Sequence, residues 1–383
     1  TQSDKENKVW FIISVIIVTI IFIPISTIWF KAISVDSQVW GHIYEYFFVT
    51  FSMNTIILTL GVALATLFLG ILAAWITVFY DFYFKKLFTY LLIIPIAIPP
   101  YAVAYCYADI TDVGGLLYTF LEFLNFSQLQ YLVPNVRSIQ GAIFILSITL
   151  FPYVYLIARF SFANNSKKII EAAANLGIDR IKLFFRCALP LGKPAIIAGL
   201  ALVMMEAMSD FGVVHYLGIS SLSVGIYKSW FGLGDFNSAA RLATILFILA
   251  FLVLSIENLI RKKNERKVFS FDLSKQEIQI FSDKNILPFI IVLLLTSIAF
   301  LIPFSWLIYN SIILVVTDSK VLSYFYKASF NSMMIALIGG LLITMAAAVI
   351  CFTQRVYGSS LNFLVNFAKI GYASPGIVIA IGV

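Results

Sequence analysis

Apolar runs too long for a soluble core decide what this chain can become. The stretches 9–30, 55–79 and 242–256 meet or approach the ~20 residues needed to cross a hydrocarbon layer about 30 Å thick. Of 383 residues, 61% are hydrophobic and 12% charged, against roughly 45–50% and about 25% in soluble domains. No soluble fold could hide that much apolar surface. The runs do not alternate, which excludes a membrane barrel, so the fold class is all-α and polytopic. Cys106, Cys187 and Cys351 are scattered and the imidazoles are His42 and His215, a pattern that suits neither a disulfide framework nor a histidine-rich metal site.

Pro, Gly and charge clusters divide the chain into nine candidate spans: 9–30, 54–79, 87–108, 139–161, 194–216, 239–260, 286–312, 331–353 and 362–383. With a cytosolic N-terminus, nineteen Lys and Arg residues fall on the cytosolic side and six on the other, with Lys369 inside the last span. The positive-inside rule therefore puts the N-terminus and the basic 261–285 linker in the cytosol. The net charge of +7 follows from this topology and implies no nucleic-acid partner.

The two sides of that linker resemble each other. "KENKVWFIISVIIVTIIFIPIS" aligns without a gap on "KNILPFIIVLLLTSIAFLIPFS", Lys5 on Lys284, pairing Pro24 with Pro303 and Ser26 with Ser305. Further on, "MNTIILTLGVALATLFLGILAAW" resembles "FNSMMIALIGGLLITMAAAVICF", with Asn54 and Asn331 at equivalent places. A copy in mid-chain cannot be a signal sequence, so the first run is an anchor that stays. About six spans separate the copies, an even number, so both halves enter the membrane in the same sense as parallel repeats. The organisation expected is a first half over 1–260 with six spans, a linker over 261–285, and three spans of a second half over 286–383. Thr1 stands where an initiator Met would, and the second half stops within its third span, so a longer natural chain is expected.

Between the fourth and fifth spans, 163–193 breaks the apolar pattern. "EAAANLGIDRIKLFFRCALP" carries Asp, Glu, Lys and Arg yet keeps helical spacing. Ser166 can cap a helix through "KKIIEAAAN", ended by Gly177 at positive φ. Asp179 can cap a second turn whose Ile181, Phe184, Phe185 and Ala188 fall on one face, stopped by Pro190, with Pro194 opening the next span. Ala172, Ala173 and Ala174 leave a flat face beside Glu171 that suits close docking. An interfacial helix held on headgroups by Lys167, Lys168, Arg180 and Lys182 is the other reading, and the residues alone leave both open.

Glu171, Ala172, Ala173, Gly177, Leu189 and Pro190 resemble the EAA loop of importer-type ABC transporter permeases, with Cys187 where that pattern has Ile. The resemblance implies a type I importer permease fold, with the loop as a coupling helix docked on a cytosolic ABC ATPase dimer. No GxxxxGK[ST] phosphate loop occurs in the chain. ATP and its Mg would then be bound by the partner subunit, and this chain would be neither an enzyme nor a cofactor carrier. "IPPYAVAYCYADITD", "VPNVRSIQGA", "LFPYVYLIARFSF", "EAMSDFGVVHYLG" and "GIYKSWFGLGD" look like the fused two-half permeases of ferric-iron importers, a design shared by thiamine and phosphonate permeases. That likeness implies a periplasmic binding protein and the bacterial inner membrane.

The polar groups inside the spans are the candidates for a transport route. Glu206 and Asp210 lie four apart on one helix face, and Glu206 falls about 16 Å past Ala195, near mid-bilayer. A carboxylate there costs about 2.5–3.5 kcal/mol on insertion scales and suits a hard cation. The structural alternative has Glu206 bonded to a neighbouring span and Asp210 capping the break at Phe211-Gly212. Tyr101, Tyr105 and Asp109 form a second stripe after Pro99-Pro100, which ordinary interfacial belt residues would also form. Asp109 and Asp112 could instead meet the binding protein. An ion-coupled carrier using Glu206 and Asp210, needing no ATPase, and a membrane scaffold are the readings from other classes.

Overall fold

The computed structural model describes residues 2–33, 38–165, 173, 177–264, 286–318, 320–358 and 376–382. Among them the regular structure is helical, without a strand. Seven of these helices are long and apolar enough to cross a membrane, or eight if a bent pair counts as one span.

The first half opens with α1 (Gln2–Ala32), the short α2 (Gln38–Tyr46) and α3 (Phe48–Phe79). The span expected over 87–108, with its break at Pro99-Pro100, is divided into separate helices. It consists of α4 (Lys85–Leu91), a tight turn at Ile94–Ala97, α5 (Pro100–Thr111) and α6 (Leu116–Phe123), bent by 95°. The cause is local: Pro99 and Pro100 offer no N–H, and Ile98 and Pro99 before each ring are pushed to ψ 122° and 130°. Next come α7 (Ile139–Asn165), α8 (Arg180–Ser209), α9 (Gly212–Tyr216), α10 (Leu222–Tyr227) and α11 (Phe236–Asn264). The helix α11 runs into the stretch assigned to the linker, whose remaining residues lie outside those described.

Three helices, α3, α7 and α8, make the centre of this half. Val154 of α7 is wedged between two glycines: a Cβ on Gly70 of α3 would stand 2.7 Å from its Cβ, and one on Gly199 of α8 would stand 3.3 Å from its Cα. Small residues let backbones approach where lipid supplies no hydrophobic drive to associate. Tyr155, Phe151, Phe162 and Phe79 are fully buried around this contact, and the Tyr155 hydroxyl donates to the Thr89 carbonyl at 3.2 Å.

The second half supplies α12 (Ile286–Thr317), α13 (Lys320–Tyr357) and α14 (Gly376–Gly382). The helix α12 lies on α3, α4, α5 and α7, and α1 lies on α11 as well as on α13 and α14. Tyr107 of α5 donates to the Ile298 carbonyl at 2.6 Å, and Trp306 Nε1 donates to Asp109 Oδ2 at 2.8 Å. On the other side Ser14 Oγ donates to Thr353 Oγ1 at 2.8 Å, and Trp10 meets Phe352 edge-on at 5.3 Å. Arg241 of α11 closes the end of α1 by donating to the Ala32 carbonyl at 3.0 Å.

Candidate functional site

Ala173 is helical and buried, and Gly177 adopts φ +74°. The Ile178 N–H reaches back to the Ala173 carbonyl at 3.2 Å, the bond that closes a helix through a left-handed residue. Among the described residues nothing lies within 4 Å of a Cβ added at Gly177, and its positive φ calls for glycine there. Glu171 and Ala172, together with Ser166 and Ala174, lie outside the described residues. Asp179 precedes the next helix, where Leu183 N–H bonds its carbonyl at 2.8 Å, but its side chain makes no cap bond.

The expected stop at Pro190 is a correction. The helix passes through Leu189, Pro190 and Pro194 and ends only at Ser209, replacing both the separate second turn and the span drawn over 194–216. A wide π turn at Phe184–Ala188 precedes Pro190 and opens the spacing where the proline ring would strike the carbonyl four residues back. The same turn shifts the phase of the face. Leu183 and Ala188, five apart, are buried, whereas Ile181 and Phe185 are exposed and Phe184 packs edge-on against Trp75 at 5.1 Å. One continuous helix of thirty residues, about 45 Å long, therefore joins the elbow to the far end of α8.

At that far end Glu206 is exposed, and among the described residues its carboxylate has no hydrogen bond or ion pair. It stands three residues before the helix ends, nearer the break than the middle of the rod. Asp210 takes the capping part: its Oδ1 accepts from Val213 and Val214 N–H at 3.0 and 3.3 Å, starting α9. Ser223 donates to the Asp210 carbonyl at 2.8 Å, while Asn54 of α3 donates to the Ser220 carbonyl at 2.8 Å and Thr55 accepts from Leu222 N–H at 2.9 Å. The α9–α10 segment thus hangs from the ends of α8 and α3. Tyr101 and Tyr105 run beside α9: Tyr101 crowds Gly212, and Tyr105 meets Tyr216 edge-on at 6.2 Å. Asp109 is drawn away to Trp306, and Asp112 pairs with Arg137 at 2.7 Å. Among the described residues no group of three or more His, Cys, Asp or Glu could hold a metal ion.

Residues 66–263, just over half of the chain, match the family described as binding-protein-dependent transport system inner membrane component. The chain belongs to that family. It is similar to the molybdenum transport system permease protein ModB of Haemophilus influenzae, 27% identical over 56% of this chain and 96% of that protein. The sulfate transport system permease protein CysT of Salmonella typhimurium is 25% identical over 52% of the chain and 71% of its own length. The Fe(3+)-transport system permease protein FbpB 2 of Haemophilus influenzae is 23% identical over 86% of the chain, which spans 61% of that relative.

Within this inner-membrane component, one feature of the far end was not read from sequence. Phe211 stacks on His215 at 4.8 Å, both meet Tyr227 at 4.9 and 5.6 Å, and Tyr227 continues to Phe231 at 5.0 Å. The cluster joins the two phrases "SDFGVVHYLG" and "GIYKSWFGLGD" into one aromatic layer beside Glu206 and Asp210 in the chain. A signal was available: Phe211 and His215, like Tyr227 and Phe231, are spaced by four.

Proposed function

We propose that this chain is the membrane subunit of an ATP-driven importer of ferric iron, with its N-terminus in the cytosol. A cytosolic ATPase dimer, holding ATP and Mg, grips the elbow around Glu171, Ala172, Ala173 and Gly177, and a periplasmic binding protein delivers the cargo to the opposite face. Closure of the ATPases pushes the α8 rod, and its far end moves the segment that Asp210 and Asn54 suspend. Access then alternates between the two sides.

The observation that carries the cargo reading is the carboxylate of Glu206, which among the described residues has no hydrogen bond or ion pair. At about 5 Å and an effective dielectric of about 20, a carboxylate repels each unit of negative charge by about 3 kcal/mol. Such a group on the route disfavours molybdate or sulfate and favours a hard cation. The extent of the likeness agrees: of the three relatives named, the iron permease is the one matched over 86% of the chain, through both halves.

The test is uptake by proteoliposomes holding the full-length permease with its ATPase and binding protein. ATP-dependent ferric iron uptake is expected. Glu206→Gln should slow it about tenfold or more with ATP hydrolysis retained, and Glu171→Arg should abolish both stimulation and uptake while the protein still inserts. ATPase stimulation without iron uptake would reassign the cargo to an oxyanion, thiamine or a phosphonate. ATP-independent uptake would overturn the importer in favour of an ion-coupled carrier.

A further inference from the structure

Glu206 has a neighbour on the facing helix, Tyr153 of α7. The helices α7 and α8 run antiparallel: Val154 lies against Gly199 and Phe162 against Gly192, so residue numbers rise along one helix as they fall along the other. The Tyr153 carbonyl belongs to the same contact, 3.4 Å from a Cβ added at Gly199. Glu206 follows Gly199 by seven residues, two turns and about 10 Å along α8, and so shares its face.

The side chains close that separation. A helical side chain leans toward the N-terminus of its own helix. In this antiparallel pair Tyr153 therefore reaches toward the level of Glu206, and Glu206 reaches back toward Tyr153. The carboxylate is close enough to act electrostatically on the tyrosine hydroxyl. The Tyr153 ring packs on the buried core while the residue stays partly exposed, and among the described residues its hydroxyl has no hydrogen bond. Tyr155, two residues on, differs in both respects: it is fully buried and its hydroxyl is spent on the Thr89 carbonyl.

The geometry points to Tyr153 and Glu206 as a two-oxygen resting site for ferric iron, the phenol oxygen bonding the metal beside the carboxylate. The pair rests on the importer reading above and adds a ligand to it. Both donors are hard oxygens, the kind a trivalent cation prefers. The bond that forms is phenolate oxygen to iron and the bond that breaks is the phenol O–H; its proton passes to water, and the iron stays ferric. Two protein donors leave the other positions to water, which keeps the ion loose enough to move on, as a conducting site requires.

The test joins two measurements: the visible spectrum of the full-length permease in micelles titrated with ferric nitrilotriacetate, and ferric iron uptake by the complete proteoliposome system. A phenolate-to-iron charge-transfer band is expected in the unmodified permease. Tyr153→Phe keeps the ring that packs on the core and removes the oxygen. It should abolish the band and slow uptake about tenfold or more, the least that losing a partner of a bound metal costs. Glu206→Gln should keep the band but require about tenfold more iron to reach it. Tyr324→Phe, at an exposed position on α13, should change neither reading. A permease that imports ferric iron without the band, or with band and uptake indifferent to Tyr153→Phe, would overturn the pair and leave the iron importer standing. ATPase stimulation without ferric uptake by the unmodified protein would remove the iron reading and the pair with it.

Discussion

The helices α3 and α13 carry two stretches that resemble each other, with Asn54 in one aligned on Asn331 in the other, and they are equally apolar. Yet among the described residues 39% of the apolar window of α3 is buried and none of that of α13 is. The difference lies in what each helix touches there. In α3, Gly61 and Gly70 admit Ile143 and Val154 of α7, whereas among the described residues nothing lies within 4 Å of a Cβ added at Gly339 or Gly340 of α13. Hydropathy commits a segment to the membrane and goes no further. Lipid tails satisfy an apolar face as well as another helix does, so packing has to come from shape and from small residues with a partner in place.

The largest effect should come from filling those glycines. In Gly70→Leu the new Cβ would stand 2.7 Å from Val154 Cβ and 3.0 Å from the Tyr155 nitrogen, forcing α3 off α7. The cost should reach about 3 kcal/mol, the upper end for overpacking, read as lost stability in reversible unfolding in micelles. Gly340→Leu should stay within about 0.5 kcal/mol, as at a site without contacts among the described residues. Equal losses at the two positions would mean that α13 is packed as tightly as α3, and the contrast would fail.

The same contrast explains what sequence could reveal. Spans 139–161 and 239–260 were legible because a long apolar run needs no partner to be recognised. The bend at Pro99-Pro100 was marked in sequence, but its 95° size and the division of 87–108 into two arms were not, since apolar composition continues across the break. Pro190 misled for the opposite reason. A proline in a charged elbow reads as a stop, and only the π turn at Phe184–Ala188 lets the helix continue. Glu206 stood out as a charge in an apolar run, and the capping alternative for Asp210 could be written down beforehand. The partner of Asp109, however, is Trp306, 197 residues away, and no local pattern points to it.

A smaller effect sharpens the comparison at the one buried residue of α13. Thr353 is buried where α13 meets α1, and there its hydroxyl accepts from Ser14 while also bonding the Val349 carbonyl at 2.8 Å. Buried threonines of α3, such as Thr59 and Thr66, bond their own helix instead. In a double-mutant cycle, Ser14→Ala and Thr353→Val should therefore couple by about 0.6 kcal/mol, with about 1.7 as the ceiling for hydrogen bonds between membrane helices. Thr353→Val keeps the shape of the side chain, so a loss confined to the coupling term would isolate the bond from the packing around it. A coupling of zero would mean that α1 does not hold α13 through this pair, and their contact would rest on the aromatic pairs Trp10–Phe352 and Phe11–Tyr357.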